Sequence, residues 1–563
     1  MDRNVDRSYA EVRCRLCLLA IPLLFLALFY FYPLARIFSL SFSFGEAWSV
    51  DRLVRLIAKS YYLKIFWFTT WQALLSTLLS LAVALPGAYI FSRYQFPGKR
   101  FLKFLSTLPF VLPTIVVAAA FQALLGDRGL INLGLMKILQ FDRPPIQINH
   151  SIWFVLIAHV FYNYSVVFRI VGGFWANLKD EMAEAAALLG ASPREIFWKI
   201  TLPVLKPAII AASLLVFVLC FSSFGVVLLL GGAKYATIEV EIYRQAVHYF
   251  NLPTAAALSF IQIIFTFVLM SFYSGIQRKI SIQFHPKLEA PQRVSQLGTV
   301  KKILVAAYAG FVSLFLGGPL IALLLRSFIQ GGRFSLVYYY SLFANKTDSL
   351  FFVPPTYSIF YSVSFGLIAL AFSITFGVLA SSGLASGSGR LTSMLDPLFM
   401  LPLSTSAVTL GFGFIVALDK PPLNFRSSIF LVPIAHTLVA LPFVIRSILP
   451  SMRSIPKSLP ESAAVLGASP WQAWIYVDMP LIIRSLIVGA IFAFTISLGE
   501  FGATLFVARP DSPTIPLAIF RFLGQPGSLN YGRALAMSCI LLLVTACGYL
   551  LLEKLRGKHI EEV

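Results

Sequence analysis

The feature that most limits what this chain can fold into is a series of long apolar runs. A transmembrane helix needs about 20 mostly apolar residues. Such runs occur at 16–38, 64–91, 104–126, 152–174, 207–231 and 254–275, and again at 303–327, 357–383, 394–418, 428–449, 484–508 and 534–553. The sequence therefore predicts an all-α polytopic membrane protein of about twelve transmembrane helices. Pro86, Pro113 and Pro442 fall inside these runs, where neighbouring helices can satisfy the carbonyls a proline frees. Charged residues make up only 12% of the chain, against about 25% in soluble domains.

The first run continues to Leu40, too long for the core of a signal peptide, and no small-residue cleavage site follows it. It reads as the first span. The net charge of +21 would suggest nucleic acid in a soluble protein. Here no basic run is interleaved with aromatics, and no nucleic-acid partner is expected. The Lys and Arg residues instead mark cytoplasmic loops. Arg3, Arg7, Arg13 and Arg15, the loop 92–103 and the linker with Arg278, Lys279, Lys301 and Lys302 place both termini in the cytoplasm. The basic segment 41–64, on the outer side in this frame, reads as a partly amphipathic surface helix. Cys220, Cys539 and Cys547 lie in apolar runs and read as packing residues. Cys14 and Cys17 form a lone CxxC with no second pair, so neither a metal site nor a disulfide framework is expected.

One segment is polar enough to sit in water and occurs twice. EAAALLGASPREIFWKITLP runs from Glu184 to Pro203, and ESAAVLGASPWQAWIYVDMP from Glu461 to Pro480. Other landmarks recur at the same offset: Ile157–His159 with Ile434–His436, Arg169 with Arg446, and Ser223–Gly225 with Glu500–Gly502. Upstream the register slips, because the first half carries about 16 extra residues between its third and fourth spans. An even number of spans per half gives both halves one topology, a parallel repeat of two six-helix domains. The expected boundaries are 1–280 for the first domain, 281–302 for a cytoplasmic linker and 303–563 for the second domain.

Each copy decodes as two short helices joined by a turn. Glu184 to Leu189 favours helix, and Gly190 ends it. Ser192 then caps a new helix, Pro193 takes its first position and Glu195 completes a capping box. Ile196, Phe197 and Ile200 line one face, and Pro203 is expected to end the helix. The second copy repeats the plan with Gly467, Ser469, Pro470, Gln472, a face of Ala473, Trp474 and Val477, and Pro480. A single copy would suit an amphipathic helix lying on lipid. Lipid contact does not demand Glu, Gly and Pro at fixed spacings in both halves, whereas a repeated protein partner does.

The pattern E-A-A, with Gly six residues on and Pro at nineteen, resembles the cytoplasmic loop of permease subunits of bacterial binding-protein-dependent (type I) ABC importers. The resemblance extends over nearly the whole chain. It implies that the two loops, 184–203 and 461–480, are coupling helices seated on two copies of a cytoplasmic ABC ATPase subunit. Carried over residue by residue, the coupling positions are Glu184, Ala185, Ala186, Gly190, Ile200 and Pro203, and Glu461, Ala463, Gly467 and Pro480. The second copy departs at Ser462 and Val477, so the two contacts need not be equal. The chain has no G-x-x-x-x-G-K-[ST] phosphate loop; PGKR at 97–100 lacks the first glycine and the hydroxyl residue. The ATPase is therefore expected to be a separate chain. This one is expected to be a non-enzymatic translocation subunit of the bacterial inner membrane, without cofactor, catalytic residue or metal. A periplasmic binding protein would dock on outer loops such as 231–253 and 509–533.

Fused twelve-span permeases of this family imply thiamine or ferric iron as cargo. Segments 66–102 and 219–247 look most like the thiamine permease, while SLGEFGATLF at 497–506 is similar also to permeases for ferric iron and molybdate. Thiamine is the first expectation and ferric iron the alternative. Glu500 falls inside a predicted span, where a charge should face a cavity or a partner. Two readings stand: Ser223, Phe224, Glu500 and Phe501 line a passage for a cation, the rings offering cation–π faces, or Glu500 is hydrogen-bonded within the bundle. His159 and His436 read as bundle hydrogen-bonders. An ion-coupled carrier would be expected to place several ionisable groups at mid-membrane, and Glu500 stands nearly alone.

Overall fold

The structure is a computed structural model that describes residues 18–42, 54–55, 58–178, 181–232, 234–280, 292–296, 298–344, 353–385, 390–419, 423–456 and 458–557. Cys14, Cys17, the basic N-terminus, most of the 41–64 segment and 281–291 of the linker lie outside these residues. The chain is helical, as the apolar runs require. Eleven helices among the described residues are long and apolar enough to cross a membrane. The twelfth expected span, 394–418, is a pair of helices, Met394–Ser404 and Ala407–Ala417, bent by 96°.

That bend corrects the expectation of a continuous helix, and the corresponding span of the first half is broken too. There Lys99–Thr107 passes into a tight turn at Leu108–Phe110, and a new helix, Thr114–Leu125, starts after Pro113. Pro109 and Pro113 lack the N–H that would carry the ladder onward. In the second half Pro402 sits two residues before the helix ends, and the Ser406 side chain accepts from the Val408 N–H at 3.1 Å to begin the next.

The helices group into two compact units that interleave the chain. One comprises 54–241 and 261–336. At its centre Ser60–Arg93 packs on Ile152–Ala176, with Leu202–Phe221 against both. The first of these helices buries Ala73, Ser76, Thr77, Ser80, Ala84, Gly87 and Ala88. Small residues at helical spacing let backbones approach closely where no hydrophobic effect drives association. Their hydroxyls bond back into the helix, Thr77 to the Ala73 carbonyl and Ser80 to that of Ser76, both at 2.7 Å. At Gly87 a β-carbon would stand 2.5 Å from the Tyr308 hydroxyl and 2.6 Å from that of Tyr164. Tyr308 comes from Thr299–Ser327, the first helix of the second half, and donates to the Val83 carbonyl at 2.8 Å.

The other unit comprises 1–53, 242–260 and 337–563. Tyr357–Ala385, Leu431–Arg453 and Met479–Gly499 pack together at its centre. Here Ser358, Ser362, Gly366, Ala369, Ser373, Gly377 and Ala380 form the buried small-residue stripe. Leu18–Phe42, the first helix of the chain, packs in this unit: Leu19 meets Gly383, and the Tyr30 and Thr405 hydroxyls are 2.7 Å apart. Each half thus lends its first helix to the unit built mainly from the other half. Nothing in the hydropathy pattern signals that exchange, because an apolar span fits either unit equally well.

Candidate functional site

The two repeated loops have the same backbone. In the first, Glu181–Leu188 is helical and Gly190 takes φ +86°. The Ala191 N–H bonds to the Ala186 carbonyl and the Gly190 N–H to that of Ala187, both at 3.0 Å. In the second, Ser458–Val465 ends at Gly467 with φ +90°, and Ala468 and Gly467 bond to the Ala463 and Ala464 carbonyls, both at 3.0 Å. This is a Schellman closure, which needs a left-handed residue at the glycine position. Ala186 and Ala463 are therefore the residues whose carbonyls close the turn.

Both capping boxes form. Ser192 accepts from the Glu195 N–H at 3.3 Å, and its own N–H reaches the Glu195 carboxylate at 3.1 Å. Gln472 does the same with Ser469, at 3.3 and 2.8 Å. A helix starting at a capped serine with proline at its first position is fixed in direction.

The expectation that Pro203 and Pro480 end these helices is corrected. Pro193–Phe221 and Pro470–Gly499 each run unbroken into a membrane span. A five-residue π-helical turn, Phe197–Thr201 in one and Trp474–Asp478 in the other, lies just before the proline. There the Leu202 N–H reaches the Phe197 carbonyl, and the Met479 N–H that of Trp474. The wider turn gives room for the proline, whose ring would clash with a regular preceding turn and which has no N–H to offer.

Glu184, Ala185, Gly190, Pro203, Glu461, Gly467 and Pro480 are exposed, while Ala186, Ile200 and Ala463 are half-buried. Sequence reading passed over four neighbours. Leu188 and Leu189 are each 89% exposed, and Val465 and Leu466 are 87% and 88% exposed. Each loop presents an apolar pair to solvent, just before its glycine. The signal was available: two large apolar residues directly before a helix-ending glycine, at the same offset twice. Around the pairs the chemistry differs. The first loop carries Arg194 and an exposed Lys199–Glu195 ion pair at 3.1 Å. The second carries Trp471 stacked on Trp474, with ring centroids 5.2 Å apart, and an exposed Tyr476.

At the far end of each long helix the regular backbone breaks. Leu202–Phe221 stops at Ser222, and Met479–Gly499 stops at Glu500. At the first break the His159 Nε2 lies 2.8 Å from the Ser223 hydroxyl, while its Nδ1 meets Ser76 at 2.9 Å. Phe224 is buried beside it in sequence. At the second break the Glu500 carboxylate accepts from the N–H groups of Ala503 and Thr504, at 2.8 and 2.9 Å, and from the Thr504 hydroxyl. His436 Nε2 lies 2.8 Å from the Thr504 hydroxyl and 3.4 Å from the carboxylate, and its Nδ1 is 2.6 Å from Ser497. Glu500 thus restarts the helix at Thr504–Val507, holding two N–H groups that no carbonyl reaches. Phe501 is buried against Phe520, with ring centroids 5.4 Å apart. Ser223 and Phe224 belong to one compact unit, Glu500 and Phe501 to the other. Among the described residues no three His, Cys, Asp or Glu side chains converge as metal ligands.

The family model described as the binding-protein-dependent transport system inner membrane component matches residues 81–282 and 373–558. The chain is 26% identical over 499 residues to a thiamine transport system permease protein of Brucella abortus, covering 86% of this chain and 88% of that one. It is 26% identical over 521 residues to the thiamine transport system permease protein of Escherichia coli, covering 91% and 92%. It is also 26% identical over 504 residues to a probable ABC transporter permease protein of Sinorhizobium fredii, covering 86% of each. The two matches together take in both loops and both helix breaks, so the chain belongs to the family of inner-membrane components of binding-protein-dependent transport systems and carries its domain twice.

Proposed function

We propose that this chain is the thiamine-translocating permease subunit of an ATP-driven importer. The observation that carries the reading is the paired loop. Each is an exposed, rigidly closed turn with an apolar pair, and each is continuous with one membrane helix. Two such turns suit two copies of one soluble ATPase subunit, each taking a loop in a groove. Glu184, Ala185, Ala186, Gly190, Ile200 and Pro203 in one loop, and Glu461, Ala463, Gly467 and Pro480 in the other, set the shape that docks. The basic loops support a cytoplasmic docking face and cytoplasmic termini.

The continuous helix supplies the transmission. Pro193–Phe221 and Pro470–Gly499 are rods about 45 Å long at 1.5 Å per residue. Each has a docking turn at one end and a backbone break at the other. A displacement of the turn when ATP closes the ATPase pair would reach Ser223 and Phe224, or Glu500 and Phe501, along one continuous run of helix that includes the π-helical turn. Non-helical backbone at membrane depth accompanies substrate sites in transporters, where freed backbone and polar groups face a cavity. We therefore assign these four residues to the passage. In the state described here Ser223 is engaged by His159, and Glu500 by the Ala503 and Thr504 N–H groups with His436 beside it, and the helices would open them by alternating access. Thiamine as cargo rests on relatives that match along nearly the whole chain.

Uptake of labelled thiamine and of ferric iron, measured side by side in cells with and without the gene, tests the reading. Loss of thiamine uptake alone is expected. Loss of iron uptake alone would keep the scaffold and replace the cargo.

A further inference from the structure

Between the fifth and sixth spans of each half a short helix folds back against the bundle, and both halves anchor it in the same way. The Ile238 N–H donates to the Thr69 hydroxyl at 3.1 Å in the first half, and the Ile515 N–H to the Ser362 hydroxyl at 2.7 Å in the second. Thr-Ile-x-x-x-Ile runs through both, from Thr237 and from Thr514. What the two helices carry differs. At the offset of the paired loops, Pro516 and Ala518 stand where the first half has Glu239 and Glu241, and Cys539 stands where it has Gln262. The fold therefore builds and anchors this helix without a carboxylate.

Glu239 and Glu241 are fully buried. The Gln262 side-chain amide donates to the Glu239 carboxylate, and the Tyr61 hydroxyl to that of Glu241 at 3.1 Å. Gln262 stands ten residues beyond Leu252, the start of the helix Leu252–Ile280. That is about 15 Å along the helix, close to half of a bilayer core of about 30 Å. The sequence reads 231–253 as an outer loop; the structure instead brings Glu239 to membrane depth, as it does Glu500. Ionisable groups are costly there and mark solute pathways. A second observation points to a ligand. Gln262 is 1% exposed, and among the described residues its Oε1 meets no hydrogen-bond donor, while the nitrogen of the same amide holds Glu239. A buried acceptor left open costs free energy that a ligand N–H would recover. The Thr237 hydroxyl donates to the Ser223 carbonyl at 3.4 Å, so the helix that carries Glu239 begins at the break assigned to the passage.

We propose that Glu239 and Gln262 form the polar subsite for the cargo, taking a cationic heteroaromatic amine; the assignment rests on the thiamine reading above. A carboxamide offers an acceptor and a donor side by side, the pattern that matches an amino group next to a ring nitrogen. Thiamine presents that edge on its aminopyrimidine ring and a fixed positive charge on its thiazolium ring. Gln262 Oε1 accepts from the amino group, and the Glu239 carboxylate, released by the amide, balances the charge. Glu241 meets Tyr61, the second residue of Ser60–Arg93, and extends the same sign of potential toward the outer end of the bundle. One unsymmetrical cargo molecule needs such a subsite in one half alone, which accounts for Pro516, Ala518 and Cys539 in the other. A bare metal ion fits less well, because among the described residues no three His, Cys, Asp or Glu side chains converge.

The test uses the complete transporter in proteoliposomes, permease with its ATPase subunits and the thiamine-loaded binding protein, and reads thiamine delivered per ATP hydrolysed. Glu239→Gln keeps the shape and removes the charge. Gln262→Cys installs the residue that the second half has at that place. Each should lower thiamine per ATP roughly tenfold or more, the loss of one hydrogen bond to a charged or buried group, while the loaded binding protein still stimulates hydrolysis. Glu239→Asp should recover part of the loss. An unchanged ratio in either variant overturns the proposal. So does a lowered Tm with uptake and hydrolysis falling together at a constant ratio, which would leave the pair as a hydrogen bond of the bundle. Absence of thiamine delivery by the wild-type assembly would sink the thiamine reading itself, before any variant is compared.

Discussion

The loops around Gly190 and Gly467 are one shape with two surfaces. Their glycine dihedrals differ by a few degrees, at +86° and +90°. Their turn hydrogen bonds match in partner and length, both carry a capping box, and both expose an apolar pair. Beyond that frame they diverge. The first is the more charged, with Arg194, Glu195 and Lys199 beside an exposed Trp198; the second is the more aromatic, with Trp471, Trp474 and Tyr476. What both copies keep is what a common partner fold must see. What differs is free to set the strength of each contact separately. The two ATPase contacts should therefore be equal in geometry and unequal in chemistry.

The largest effect should come from the shared frame. Proline locks its backbone at a negative φ, so Gly190→Pro or Gly467→Pro cannot adopt the left-handed turn. A misplaced proline costs about 3 kcal/mol or more. Either variant should insert normally in the membrane yet abolish thiamine uptake, and the two should be equally damaging. Uptake that survives one and not the other would break the equivalence of the loops. A smaller effect is expected at the exposed apolar pair. Leu189→Glu or Leu466→Glu removes an apolar side chain whose burial is worth about 1.5–3 kcal/mol. Binding of the purified ATPase subunit should weaken roughly 10- to 100-fold, read by surface plasmon resonance on single-loop variants. The smallest effect should separate the surfaces. Raising salt to about 1 M shortens the screening length to about 3 Å, and contacts of exposed charges are worth up to about 1 kcal/mol. Contact through the first loop should weaken by that amount, while contact through the second, whose exposed charge is chiefly Glu461, should weaken less and respond more to Trp471→Ala.

Much of this frame was legible in the chain. Gly190, Ser192, Pro193 and Glu195, and their counterparts Gly467, Ser469, Pro470 and Gln472, are local signals with local causes, and they form the turns and caps their chemistry requires. The path of the helix beyond them was not legible. Pro203 and Pro480 read as terminators because a regular helix cannot pass them; a π-helical turn can, and nothing in FWKIT or WIYVD announces one. Hydropathy counts apolar residues, so the third span of each half reads as unbroken: Pro113 alone is compatible with a packed membrane helix, and neither Pro109 nor the Ser406 cap alters an apolar count. Glu500 showed only that a carboxylate lies in an apolar stretch. Which N–H groups it holds depends on where the helix breaks, and the break has no local sequence signal. The exchange of first helices between units is a tertiary choice with no local signature.

The central claim is that two equivalent loops seat two ATPase subunits. Native mass spectrometry of the complex purified through a tag on this chain tests it most directly. The account predicts one permease chain with two ATPase chains, falling to one ATPase chain when Gly467 alone is replaced by proline. A transport-competent assembly carrying a single ATPase chain, or two retained in the Gly467→Pro variant, would contradict it.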